Sequence, residues 1–389
     1  MGTKTYTGPA ILSFGFRPFF LLASLFAAGL VPFWVYMFIR GGDTAGPYTP
    51  LDWHVHEMIF GYLAAVITGF LLTAIPNWTG RLPVRGGPLL ILVLLWLAGR
   101  AAMITPLPYM LAAWLDSLFL LAVAGVCIRE IMAGKNWRNA PVSVIISLLA
   151  AANIAFHLEA TGILGTNLAG TAAVALIVML NALIGGRIVP SFTTNWLIKA
   201  GHKARPVPFN LYDKILLAVT ALSLLAWILL PDTVMSGTLL LLAAIGHLVR
   251  LWRWKGWTTG TSAIVLVLHV AYLWLPLGLG LLGIGMILPD LAVPPTSGIH
   301  ALTAGLMGMM PLAVMSRATL GHTGRPLAAG ISGTAMYICA FAAAATRTLA
   351  PILVDHYQAL LVISAILWCA TFLLFVGIFG RMLWRPRLS

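Results

Sequence analysis

Residues 53–81 read WHVHEMIFGYLAAVITGFLLTAIPNWTGR, and this stretch decides the fold class. No residue from Met58 to Gly80 carries a formal charge, and about 20 mainly apolar residues are enough for an α-helix to cross a bilayer. Similar runs recur from end to end of the chain. Of its 389 residues, 60% are hydrophobic and 8% charged, whereas a soluble domain carries about a quarter of its residues charged. A water-soluble fold is excluded. A collagen-like or disordered chain is excluded too, because Gly has no three-residue period and the apolar residues fall in long blocks. The sequence reads as an all-α polytopic membrane protein, a single integral membrane domain over 1–389.

Cutting the chain at its charged and Pro/Gly-rich intervals predicts twelve transmembrane helices, at 18–39, 56–76, 88–106, 109–128, 140–160, 168–189, 212–231, 234–252, 261–287, 298–316, 328–348 and 357–380. The ninth contains Pro276 and several glycines and is expected to be long and kinked or partly re-entrant. The third and fourth meet in a tight turn around Pro106 and Pro108. With both termini cytoplasmic, every Lys and Arg from Lys4 to Arg387 falls on the inner side except Arg40, Arg100 and Arg347, as the positive-inside rule requires. The net charge of +13 is therefore topogenic, and nucleic-acid binding has no support. The longest inner connection, 190–211, has room for an interfacial helix. The N-terminus has no clear processing site, so the first helix is expected to be retained as the insertion signal. Cys127, Cys339 and Cys369 form no CxxC pair and read as small apolar core residues.

A weak internal echo pairs 56–81 with 300–325. His56, Gly61 and Thr79-Gly80-Arg81 match His300, Gly305 and Thr323-Gly324-Arg325 in spacing. Either a duplication or the similar ends of any two helices running the same way accounts for it.

Nine histidines are the most informative polar set, because neutral imidazole ligates haem iron, copper and zinc, and ionisable groups at lipid depth are costly without a role. His54, His56, His157 and His300 lie near outer helix ends and His269 within the ninth helix, so the outer half is the expected chemical site. In WHVHEMIFG, an extended backbone points His54 and His56 the same way. A helix starting between them brings Glu57 into the first turn, where it can orient an imidazole. The pattern suits copper or zinc and is not the HExxH metalloprotease signature. His300 stands above Gly305, Met307 and Met309, a face that admits another helix or a flat macrocycle. His157, with Glu159 and Asn153 nearby, suits a polar network or a ligand. Arg17, Arg81, Arg187 and Arg325 flank inner turns and serve either as topogenic charge or as forks for haem propionates or anionic lipid.

The long motif at 53–81, with GFRPFF at Gly15–Phe20, GGRIVPSF at Gly185–Phe192 and IHALTAGLMGMMPLAVMSRATLGHTGR at Ile299–Arg325, resembles the bacterial NnrS family over essentially the whole chain. The resemblance implies a twelve-helix protein of the bacterial inner membrane that contains haem and copper and belongs to the response to nitric oxide and nitrosative stress in nitrogen-oxide metabolism. The outer-half placement of these histidines makes His300 or His269 the expected ligand of haem iron. His54 and His56 are expected at copper or the second haem position, with His157 a further cofactor ligand, and Glu57 is expected to orient imidazole or relay protons. The expected partners are nitric oxide or a related small molecule, membrane lipids, and a quinol or protein electron donor, with an oxidoreductase activity left open. A twelve-helix transporter and a haem or copper assembly factor are the competing readings.

Overall fold

The computed structural model describes residues 6–388; Lys4, one of the inner-side cations, lies outside them. Among the described residues the long elements are all helical: α1 Phe16–Arg40, α2 Pro50–Thr79, α3 Gly87–Ala102, α4 Tyr109–Ala133, α5 Ala140–Ala160, α6 Ala169–Lys199, α7 Leu211–Leu229, α8 Val234–Arg253, α9 Ala263–Ile287, α10 Pro295–His322, α11 Gly330–Leu349 and α12 Tyr357–Trp384. Ten spans within them are long and apolar enough to cross a membrane. Of the other two helices, α3 is apolar but shorter, and α11, rich in Gly, Ala and Thr, has the length but is less apolar. The chain is thus a multi-span helical membrane protein.

Each predicted segment falls on a helix, with three differences in detail. First, α2 starts at Pro50, because the Thr49 hydroxyl accepts the Asp52 backbone N–H at 3.2 Å and caps the helix. His54 and His56 therefore both lie on helical backbone, two positions apart, and do not share a face as they would on an extended strand. Second, α6 runs on through Pro190 to Lys199, so the first part of the 190–211 connection continues α6. Third, α9 is one continuous helix with Pro276 inside it, and no re-entrant segment interrupts it.

The described residues divide into two compact units, one within Met1–Ala173, Ala318–Pro326 and Phe372–Ser389, the other within Val174–Arg317 and Leu327–Thr371. In the first, α1 packs on α2, α2 on α4, α3 on α4 and α4 on α5. In the second, α7 packs on α8, α8 on α9, and α9 and α11 on α10. Along α3 the side chains Leu90, Ile91, Leu94 and Leu97 form one exposed apolar stripe, while Leu89, Leu92, Val93 and Trp96 are buried. Such a stripe at helical spacing suits hydrocarbon rather than water.

Two π-helical turns interrupt the long helices, at Glu57–Leu63 in α2 and Ala301–Leu306 in α10. Each follows directly on a histidine, His56 in one and His300 in the other. The wider turn frees backbone groups from the regular ladder; the Gly61 carbonyl accepts the Trp96 indole N–H at 2.9 Å.

Candidate metal centre

The first unit gathers a buried polar cluster from four helices. Their sequence positions put it near one end of each: His56 and Glu57 lie early in α2, Asp116 early in α4, Arg100 late in α3, and Asn153 and His157 late in α5. Tyr48, just before α2, closes the group. His56 and Glu57 are fully buried, and Asp116, Arg100, Asn153, His157 and Tyr48 are nearly so.

At the centre stands Asp116 Oδ2. His56 Nε2 and His157 Nε2 each lie 3.1 Å from it, and the Asn153 amide donates to it at 2.8 Å. The outward nitrogens of the two imidazoles are also engaged: His56 Nδ1 meets Glu57 Oε1 at 2.9 Å, and His157 Nδ1 meets the Tyr48 hydroxyl at 2.6 Å. Burial, with Tyr109 and the nearby carboxylates adding to it, holds the Tyr48 phenol well above its ordinary range, so it stays protonated. The Arg100 guanidinium bridges Glu57 Oε1 and Asp116 Oδ1.

Two glycines make the bridge sterically feasible. A Cβ on Gly61 would stand 2.6 Å from Arg100 Nη1 and 3.2 Å from Glu57 Oε2. A Cβ on Gly99 would stand 3.0 Å from Asp116 Oδ1 and 3.2 Å from its Cα, so Gly99 lets α3 and α4 approach closely.

The donor chemistry fits a metal ion. One atom from each of His56, Asp116 and His157 lies within 4.8 Å of the others. Metal bonds of about 2.0–2.1 Å at tetrahedral angles place ligand atoms about 3.3 Å apart, close to the 3.1 Å separations in the cluster. Glu57 and Tyr48 stand behind the imidazoles in the way outer partners orient ligating histidines. Glu57 Oε2 and Asn153 Oδ1 are buried oxygens without a hydrogen-bond partner, the kind of atom a bound cation or water satisfies. With neutral imidazoles the formal charge is −1, two carboxylates against one guanidinium, so a monovalent cation neutralises the buried site and a divalent one overshoots it.

The profile of the NnrS protein family matches residues 10–387. The chain belongs to the NnrS family. No curated protein matches it in sequence. In this NnrS-family chain the predicted site residues occupy several places. His56, Glu57 and His157 meet in the cluster. His54, two residues away, stacks on Trp34 with ring centroids 4.2 Å apart. His269 and His300 belong to the second unit. The His269 Nε2–H donates to Thr193 Oγ1 at 2.8 Å, since that hydroxyl already donates to the Val189 carbonyl, and His269 Nδ1 faces Gly256 without a partner. His300 donates from Nδ1 to the Thr296 carbonyl at 2.7 Å, the tautomer in which a neutral ring carries its lone pair on Nε2.

Sequence reasoning missed Asp116, Arg100, Asn153 as a cluster member and Tyr48. Two of them left a trace. Asp116 is the one charge inside YMLAAWLDSLFLLAVAGVC, and Arg100 is one of three cations that break the positive-inside pattern. Arg17, considered for haem propionates, instead donates to the carbonyls of Met382, Leu383 and Arg385, where it caps the end of α12.

Proposed function

We propose that this chain is a haem- and copper-containing protein of the bacterial inner membrane that binds or converts nitric oxide, or relieves nitrosative stress, in nitrogen-oxide metabolism. The observation that carries the reading is the buried His56–Asp116–His157 group with its outer partners Glu57 and Tyr48. The NnrS resemblance supports copper among the metals that imidazole and carboxylate take, and copper(I) would balance the formal charge of the cluster. For Nε2 of His157 to ligate, Nδ1 must carry the ring hydrogen and donate to the Tyr48 oxygen. His56 needs the matching tautomer, with Nδ1–H donating to Glu57.

Haem iron is assigned to His300, whose Nδ1–H···Thr296 bond fixes the tautomer suited to ligation through Nε2, with His269 as the second candidate. Haem iron, when bound, supplies a nitric oxide site, and copper supplies a one-electron couple. The residues of this chain hold, orient and desolvate those groups. Electrons are assigned to a quinol or protein donor.

Twelve crossings with both termini cytoplasmic are supported by the alternation of basic residues, and this orientation puts the cluster toward the periplasmic half. Duplication of the 56–81 segment as 300–325 is supported by the π-turn that follows each histidine and by Gly80 and Gly324, both at positive φ.

Anaerobic optical and electron paramagnetic resonance spectra of the purified protein, before and after nitric oxide addition, test the reading. A nitric-oxide-dependent change in the haem bands is expected. Cofactor-free protein that carries a solute into proteoliposomes would overturn it in favour of a transporter, and readily transferred, sub-stoichiometric metal would point to an assembly factor.

A further inference from the structure

At the other end of the first unit's helices, the loop joining α2 to α3 frames a cleft of about 570 Å³ whose lining includes Arg81, Leu82, Arg85, Arg129 and Glu130. Glu130 accepts Arg81 Nε at 2.6 Å and Arg129 Nε at 2.9 Å. These ion pairs fix two guanidinium groups and cancel one of three positive charges, so the cleft keeps a formal charge of +2. Arg81 and Arg129 stay 43% and 64% exposed, within reach of an outside acceptor. Arg85 lies over the Tyr6 ring, 5.5 Å from its centroid, which holds the third guanidinium at the rim.

Beside the cleft lies a narrow apolar crevice with room for about one water, lined by Leu72, Ile75 and Val126, with Arg81, Leu82, Val84 and Glu130 common to both. The cleft's place in the chain adds a second constraint. Arg81 lies two residues past the end of α2, Pro88 lies in the first turn of α3, and Arg129 lies in the last turns of α4. Helix ends at this level stand where a bilayer has its phosphates. The exposed stripe of α3, and Leu118, Leu121, Ile128 and Met132 on α4, are the apolar surfaces next to them.

We propose that this cleft is a binding site for an anionic phospholipid, whose headgroup phosphate sits among Arg81, Arg85 and Arg129 and whose acyl chains lie along the exposed apolar surfaces of α3 and α4. Guanidinium forks match phosphate oxygens, and Glu130 serves to position two of them. A free phosphate ion would satisfy the charge and make no use of the apolar surfaces of α3 and α4.

Native mass spectrometry of the full-length protein in detergent tests the site, with phosphatidylglycerol as probe, phosphatidylcholine of the same acyl chains as its neutral-headgroup counterpart, and inorganic phosphate as competitor. Phosphatidylglycerol should be retained in preference to phosphatidylcholine, and millimolar phosphate should not displace it. Arg81→Gln/Arg85→Gln should weaken retention by about fivefold per guanidinium removed. Because Arg81→Gln unpairs Glu130, Arg85→Gln is measured alone beside it, with both Glu130 ion pairs intact. Equal retention of the two lipids, or wild-type retention by Arg85→Gln, would overturn the proposal, and displacement by phosphate would reassign the cleft to a free anion.

Discussion

His56 and Asp116, 60 residues apart in the chain, bring Nε2 and Oδ2 to within 3.1 Å of each other inside the first unit. Neither can be moved to water, since both are buried, and each is held from a second side, His56 by Glu57 and Asp116 by Arg100. A buried carboxylate and imidazole at that distance form a stable pair only if a hydrogen or a metal ion lies between them. The predictions below follow from that constraint.

Arg100→Ala should be the most destabilising single change in the cluster. It leaves Glu57 and Asp116 buried without their cation, a loss of about 3–5 kcal/mol for a broken buried pair. Thermal unfolding in detergent measures it. Arg100→Lys should recover little, because one ammonium group does not bridge two carboxylates as the guanidinium does.

Gly61→Ala tests whether the close approach of α3 to the π-turn is required. The added Cβ meets Arg100, the Phe26 ring and Glu57, so about 1–3 kcal/mol of stability should be lost. Weaker copper binding should accompany the loss. A fully stable variant with wild-type copper would mean that Arg100 reaches the carboxylates from elsewhere.

Tyr48→Phe removes the partner of His157 Nδ1 and leaves the ligand atoms in place. Copper affinity should fall by about 10–100-fold, with binding still saturable in a titration, as for other outer partners of ligating histidines. His54→Ala, by contrast, removes a ring stacked on Trp34 and should leave copper at the cluster unchanged.

His300→Ala and His269→Ala test the proposed haem iron apart from the proposed copper. Loss of the haem absorption bands with copper retained is expected for His300→Ala. If haem survives in His300→Ala and disappears in His269→Ala, the iron ligand is His269, whose partnerless Nδ1 would then have to turn away from Gly256.

Helices were legible in the sequence because hydropathy acts over about 20 residues and averages out local detail. The π-turns were not, since a single extra residue per turn leaves composition unchanged. The start of α2 was set by the Thr49 cap and Pro50, a four-residue signal that apolarity does not register. Within the site, His56, Glu57 and His157 stood out as costly residue types in apolar surroundings. Asp116 and Arg100 carried the same signal separately, and only tertiary packing joined them. The pairing of Arg100 with both carboxylates also explains why this cation departs from the inner-side pattern: it compensates buried charge rather than facing lipid headgroups.

Copper content per chain, measured by inductively coupled plasma mass spectrometry on purified wild-type, His56→Ala, Asp116→Asn and His157→Ala proteins of unchanged helical circular dichroism, tests the central claim most directly. Stoichiometric copper in the wild type and its loss from all three variants is the predicted result; wild-type copper in all three would contradict it.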